Sequence, residues 1–369
     1  VYRCTECGRT AEVTATTPHR CDCGGAFEFA SPPTPEGPPS TLDRDAGLWA
    51  FEALLPVEEG LTLGEGWTPL VAAGDRAVTY KLEGLAPTAS FKDRGAAATL
   101  AQARALGVDR VIEDSSGNAG AAIATYAARA GVDAEIFVPA DVKAGKLRAI
   151  ERAGATIHRV EGTRGDVTDA CLAAVERGRA DGSAADEQGG AWYASHAWRP
   201  AFLEGTATVA YEVAAQRDWT VPDAIVTPLG HGTLFLGLSL GFARLRAAGW
   251  TDRIPRLYGA QAAGAAPVVA DRHGAAAAAG DNDLADGIQI RDPARRAQIH
   301  AALDATGGDV VAIDRETTRE EFRRLGRRGF HVEPTCAVAP AALDRLRERG
   351  ALGADEDIVV PLTGSGLAT

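Results

Sequence analysis

Between residues 110 and 179, short apolar runs alternate with helical stretches three times. A strand over 110–113 precedes a helix over 120–130, a strand over 134–138 one over 144–153, and a strand over 156–160 one over 167–179. Strands separated by helices of this length return parallel through right-handed crossovers. The rhythm resumes beyond residue 200, with helices over 206–216 and 234–248, strands over 224–227 and 256–260, and a last strand over 357–360. The expected fold class is therefore α/β, with two parallel-sheet αβα domains around a cleft, which 369 residues can fill. A helix over 48–55 stopped by Pro56, strands near Val71 and over 78–82, a short helix over 264–270 and a mobile surface loop over 274–283 complete the expectation.

The first 29 residues read differently. Cys4-x2-Cys7 and Cys21-x-Cys23, each pair followed by glycine, place four thiols on two tight turns with Tyr2 and Phe27 as apolar anchors. Four such ligands suit a closed, structural zinc and an N-terminal zinc-ribbon-like module; oxidised or vestigial cysteines are the alternative, and His19 is a possible substitute ligand. Residues 30–40 hold five prolines and read as a semi-rigid linker. Cys171 and Cys336 stand alone, unlike the cysteines of a secreted disulfide scaffold.

A net charge of −12 leaves no concentrated basic face, so no nucleic-acid partner is expected. No apolar run reaches the ~18 residues of a membrane span, and no basic, apolar leader opens the sequence, so a soluble cytoplasmic protein without a membrane partner is expected. An acidic chain this poor in lysine also fits a salt-adapted source. The whole chain has four lysines, Lys81, Lys92, Lys143 and Lys146, and every other basic side chain apart from histidine is arginine, which cannot form an imine. Lys92 is the best placed of the four. It follows a turn at Pro87-Thr88 and a capping Ser90, and precedes the helical run Gly95-Ala96-Ala97-Ala98, so it sits in a first helical turn whose dipole disfavours its charge.

Two further stretches share one design, a strand end leading through a small-residue turn into a helix. Asp114-Ser115-Ser116-Gly117-Asn118-Ala119-Gly120 is one, and Thr227-Pro228-Leu229-Gly230-His231-Gly232-Thr233 is the other. Exposed backbone N–H groups at such a helix start bind anions, although a capped βα turn without ligand has the same spacing. A third loop, Thr363-Gly364-Ser365-Gly366, follows the last strand.

Ser90-Phe91-Lys92-Asp93-Arg94-Gly95, with Gly64-Glu65-Gly66-Trp67-Thr68-Pro69-Leu70 before it, resembles the pyridoxal-phosphate enzymes of the tryptophan synthase β-subunit type (fold type II), and among them the threonine synthases. Residues 259–267 share the resemblance. It implies that Lys92 carries pyridoxal 5'-phosphate beside Phe91, and that Ser116, Ala119 and Gly120 bind the substrate carboxylate. By the same resemblance Asn118 is expected to face the cofactor's phenolic oxygen, Gly230, His231, Gly232 and Thr233 to hold its phosphate, and Thr363, with Ser365 nearby, to face its ring nitrogen. It also implies a large cofactor-binding domain of residues 41–80 and 200–369, a small substrate-binding domain of residues 81–199, and a homodimer.

The implied reaction, a carbon–oxygen lyase step on a small amino-acid substrate, takes O-phosphohomoserine and water to threonine and phosphate. It needs a second anion site, for which Lys81, Arg94, Lys146 and Arg199 are candidates. Departures from the family pattern are Ala89 for glycine, His231 in the phosphate turn, and Ala207 and Ala368 where lysines are usual. A threonine or serine dehydratase needs no second anion site and is the alternative; a binding-only homologue is a third reading.

Overall fold

The computed structural model describes residues 1–58, 60–142, 144–180 and 191–367, with the side chains of 144, 146 and 178–180 left aside. In chain order its elements begin with strands β1 (Tyr2–Cys4), β2 (Thr10–Ala11), β3 (Phe27–Phe29), β4 (Leu70–Ala72) and β5 (Thr79–Lys81). Helix α1 (Lys92–Ala105), β6 (Arg110–Glu113), α2 (Asn118–Ala130), β7 (Asp133–Pro139), α3 (Ala144–Arg152), β8 (Thr156–Val160), α4 (Arg164–Ala180) and β9 (Trp192–Tyr193) follow. The rest is α5 (Pro200–Ala215), β10 (Ala224–Pro228), α6 (Thr233–Ala247), β11 (Arg256–Ala262), α7 (Pro267–His273), α8 (Ala275–Ala278), α9 (Arg296–Thr306), β12 (Val310–Ile313), α10 (Arg315–Arg327), α11 (Val338–Glu348) and β13 (Ile358–Pro361).

The chain divides into two compact units, the first of residues 1–33, 43–65 and 92–205 and the second of residues 34–42, 66–91 and 206–369. In the first unit the sheet runs β8-β7-β6-β9, all parallel. Ile112 and Tyr193 on this sheet pack with Val167, Cys171 and Val175 of α4 into one apolar cluster. In the second unit the sheet runs β12-β11-β10-β13-β5-β4, parallel apart from the antiparallel edge strand β4. Its strands β10 and β13 are wholly buried, as strands covered on both faces must be.

The boundaries fall at 65/66, 91/92 and 205/206 rather than near 80 and 200, and local bonds explain why. Glu65 is tied to the first unit by the Tyr126 hydroxyl at 2.7 Å, whereas Lys81 is tied to Glu212 of the second at 2.7 Å. The cysteine module is not a separate body either. Tyr2 donates to Gln102 of α1 at 2.9 Å, and His19 and Arg20 lie against Trp198 at 5.6 and 5.9 Å. Linker residues 34–42 group with the second unit, where Pro35 accepts from the Trp250 indole at 2.9 Å.

Three local expectations change. The helix expected over 48–55 is an interrupted 3₁₀ stretch, Arg44–Leu54, broken at Gly47 and Phe51. Gly47 sits at φ 63, and a Cβ there would come within 2.5 Å of the Glu65 carbonyl, so the chain bends to meet that loop. The helix expected over 264–270 starts later, at Pro267, whose fixed φ suits a first turn. The stretch expected to be a surface loop over 274–283 contains α8, and Asn282 is buried, donating at 2.8 Å to both the Ile313 carbonyl and the Thr318 hydroxyl.

Candidate active site

Lys92 is the first residue of α1 and is half-buried, with its Nζ 5.5 Å from the centre of the Phe202 ring. The helix start is crowded on its other faces: a Cβ at Gly95 would fall 2.3 Å from that ring, and one at Gly205 would fall 2.0 Å from the Arg94 carbonyl. Arg94, a candidate substrate ligand, is fully buried.

The loop from β6 to α2 folds back on the helix start so closely that a Cβ at Gly120 would lie 1.8 Å from the Ser115 carbonyl. Gly117 caps α2 without any side-chain hydrogen bond. Ser116, Asn118, Ala119 and Gly120 therefore sit where a helix start offers its backbone donors to an anion. Asp114 is held out of this turn by Tyr193 at 2.8 Å and Thr168 at 2.6 Å.

The second unit carries its own pair of loops. β10 and β13 are parallel neighbours, with Ala224 opposite Ile358, and the strand order reverses between them. The turn 229–232 and the loop 362–366 thus leave the carboxyl ends of adjacent strands at a topological switch point, the usual ligand crevice of a doubly wound sheet. Gly232 caps α6 at φ 83, again without a side-chain bond, and a Cβ there would lie 2.7 Å from Ile299. Gly230 is less tightly enclosed: a Cβ there would lie 3.2 Å from Ile288. His231 accepts from the Ala294 N–H at 3.5 Å, which gives it a place in fixing the turn. Thr233 is buried, and its carbonyl accepts from Thr206 at 3.0 Å.

Thr363 is buried, with its hydroxyl 3.3 Å from the Cys336 sulfur. Burial pushes the Cys336 thiol up to about 12, so it stays neutral. The same loop anchors the residues before Lys92: the Phe91 N–H donates to the Thr363 carbonyl at 3.1 Å, and the Ser365 N–H donates to the Ala89 carbonyl at 2.8 Å. The Ser365 hydroxyl accepts from the Leu367 N–H at 3.2 Å.

Lys81 stands apart from the expected substrate role. It is fully buried and donates to Glu212 at 2.7 Å, the Thr68 carbonyl at 2.6 Å and Gln216 at 3.0 Å. An ammonium has three protons, so none remains for a ligand. Arg199 is likewise engaged, stacked 3.7 Å over the Trp192 ring with its Nε donating to the Tyr193 carbonyl at 2.5 Å. Lys146 has a side chain outside those described, and Ala368 lies outside the described residues. Ala207 is buried where α5 meets α6, and a Cβ at Gly241 would come within 2.6 Å of its carbonyl; two backbones this close leave no room there for a lysine pointing inward.

Glu65, Glu113 and His196 were given no role of their own in the sequence reading. Glu65 accepts from the Leu63 N–H at 2.8 Å and from Tyr126, and burial raises its carboxyl above the usual range. Glu113 and His196 form a buried pair beside the 114–120 loop. An acid at the carboxyl end of a parallel strand was the available signal for Glu113, whereas His196 gave none, since two-residue β9 is too short for periodicity.

In the cysteine module, Cys4 and Cys23 sulfurs lie 3.5 Å apart and Cys7 and Cys21 sulfurs 3.7 Å, with all four within 4.8 Å. Four bonds of ~2.3 Å to a tetrahedral zinc would space sulfurs by about 3.8 Å, close to the two short pairs, so the set suits that ion. Burial pushes the Cys4 thiol up, but the Cys7 and Glu6 N–H groups overcome this and bring it down to about 7, while the Cys4 and Cys7 sulfurs outweigh the Gly25 N–H and push Cys23 up to about 12. His19 faces Tyr193 at 5.2 Å and lies outside the thiol set.

The class of protein is shown by a family model that matches most of the chain. That model, of pyridoxal-phosphate dependent enzymes, matches residues 61–364, and the chain belongs to that family. Among curated relatives, it is 31% identical to the threonine synthase of Methanocaldococcus jannaschii over 100% of this chain and 92% of the relative. It is 34% identical to that of Methanosarcina acetivorans over 86% and 79%, and 31% identical to that of Mycobacterium tuberculosis over 86% and 87%. Among solved structures, maize serine racemase aligns with a TM-score of 0.64 at 20% identity over 81% of this chain and 88% of that one. A Rhizomucor miehei L-serine ammonia-lyase aligns at 0.64 and 21% over 81% and 93%. Both share its fold.

Proposed function

We propose that this chain takes O-phosphohomoserine and water to threonine and phosphate, as a threonine synthase. The observation that carries this reading is the relative that spans all of this chain, cysteine module included, at 31% identity. Bound pyridoxal 5'-phosphate supplies the electron sink. In this reading Lys92 holds the cofactor and takes and returns substrate protons, Asn118 faces the cofactor's phenolic oxygen, and the start of α2 at 116–120 orients the carboxylate. The turn at 230–233 grips the cofactor phosphate beside Phe91, and the Thr363 hydroxyl, with Ser365 nearby, faces the ring nitrogen. In this reading the second unit supplies the phosphate turn and the residue facing the ring nitrogen, and the first supplies the lysine, Asn118 and the carboxylate site. A structural zinc on Cys4, Cys7, Cys21 and Cys23, a homodimer and a cytoplasmic location belong to the same reading; no helix among the described residues is long and apolar enough to cross a membrane.

One observation favours a second reading. With the Lys81 protons engaged and no room for an inward lysine at position 207, two of the charges that a second anion site would draw on are lost. Two lost charge-assisted contacts at ~1.5 to 3 kcal/mol each would weaken binding more than a hundredfold. A dehydratase, which eliminates water from threonine or serine, has no such requirement. A side-by-side assay decides: the proposal expects phosphate and threonine from O-phosphohomoserine much faster than 2-oxobutyrate from threonine. Ketoacid without phosphate release would overturn it.

A further inference from the structure

In the first unit, as in the second, the strand order reverses at one place, between β6 and β9, which are parallel neighbours with Ile112 opposite Tyr193. Glu113 ends β6 at that switch point, and His196 follows β9 by three residues. Both are buried. His196 Nδ1 lies 2.5 Å from Glu113 Oε1, and the His196 backbone N–H donates to Oε2 at 3.3 Å. Lys92 is close by. The Phe202 ring has the Lys92 Nζ 5.5 Å from its centre and the His196 ring 6.0 Å from it, so one ring neighbours both.

We propose that Glu113 and His196 form a one-proton reservoir beside Lys92, whose loss of its proton to solvent tightens the hold of the Lys92 nitrogen on its own. The inference rests on Lys92 as the cofactor-bearing amine. With the proton shared between carboxylate and imidazole the pair is neutral, and when the proton leaves it carries one negative charge next to Lys92. Burial raises the Glu113 carboxyl well above its ordinary range and Asp114 adds to this, while the His196 N–H, Lys92 and Arg164 pull it back. Tyr193, Cys171, Asp114 and Arg164 are the other groups whose charges bear on the pair. Burial pushes the Tyr193 hydroxyl and the Cys171 thiol up, so both remain neutral, and Asp114 stays bonded to Tyr193 and Thr168. Neither Glu113 nor His196 is placed on substrate; they are positioning residues that act through Lys92.

The test follows the visible absorbance of the cofactor-loaded chain against pH. Glu113→Gln, which cannot become negative, should lower the midpoint by about one pH unit, and Glu113→Asp should keep it near the wild-type value. Superimposable wild-type and Glu113→Gln curves overturn the proposal. If Glu113→Gln does not fold, the wild-type chain decides. Freed of cofactor and carrying ¹³C-methyl groups on its lysines, it should show, in the Lys92 signal, a second inflection at the pH where the His196 ring titrates. A Lys92 signal without that inflection overturns the proposal equally. Because this arm uses no cofactor, a loaded chain lacking a visible band would count against the cofactor role of Lys92 alone.

Discussion

Phe91 donates its backbone N–H to the Thr363 carbonyl across 3.1 Å, joining the residue before the lysine to the loop after the last strand. Ser90 and Gly364 form a β-bridge alongside it. Two motifs more than 270 residues apart in sequence thus meet as one short ladder.

If Lys92 is the covalent anchor, the purified protein is yellow and Lys92→Ala is colourless. The other lysines offer no substitute: Lys81 has its protons committed, and Lys143 and Lys146 lie far along the chain. Borohydride treatment followed by peptide mapping should place the reduced cofactor on Lys92; a retained visible band in Lys92→Ala would defeat the assignment.

Lys81→Ala leaves the Glu212 carboxylate buried without its partner, a change that costs about 3 to 5 kcal/mol. Chemical denaturation should show that loss, and the double variant Lys81→Met with Glu212→Gln should recover most of it. A raised KM at unchanged stability would instead return Lys81 to the substrate site.

For the cysteine module, protein prepared without chelator should hold about one zinc per chain, and Cys7→Ser should lose it. Metal removal should loosen the contacts of His19 and Arg20 with Trp198 before it disturbs the six-stranded sheet, which hydrogen exchange can follow. Metal analysis showing none in the wild type would sink the site.

Asp314 caps α10 by accepting from the Thr317 N–H at 2.9 Å. Burial raises its carboxyl, but the Thr317 N–H and hydroxyl outweigh this and hold it below its ordinary 3.8. A depressed folded value means that the cap stabilises fully above pH ~3.8 and fades as pH falls through the lower folded value. Asp314→Ala should therefore cost about 1 kcal/mol at neutral pH, and the gap from wild type should close in acid; a pH-independent gap would contradict the cap.

The parallel sheets and crossover helices were legible because a short apolar run followed by a long helical run, repeated several times, leaves few alternatives. The loops at their carboxyl ends were legible because glycine at a strand-to-helix turn has a physical purpose, seen in the 1.8 Å approach at Gly120. What sequence could not reveal were pairings across long separations. Nothing local marks Lys81 as the partner of Glu212, 131 residues on, or His196 as the partner of Glu113, 83 residues back. Residues 44–54 misled because their apolar spacing suits a helix, while Gly47 is bent by a carbonyl eighteen residues later.

Ala89 lies in the left-handed region, at φ 67, between its bond to Ala86 and the Ser365 N–H. An alanine there carries roughly 1 to 2 kcal/mol of strain, and glycine would relieve it at a cost of ~0.4 to 1 kcal/mol in unfolded-chain entropy, a net gain of about 0 to 1.6 kcal/mol. Alanine and glycine codons differ by one base, at the second position. A library of single-base changes therefore already contains Ala89→Gly, and growth selection at rising temperature should enrich it ahead of changes that need two mutations.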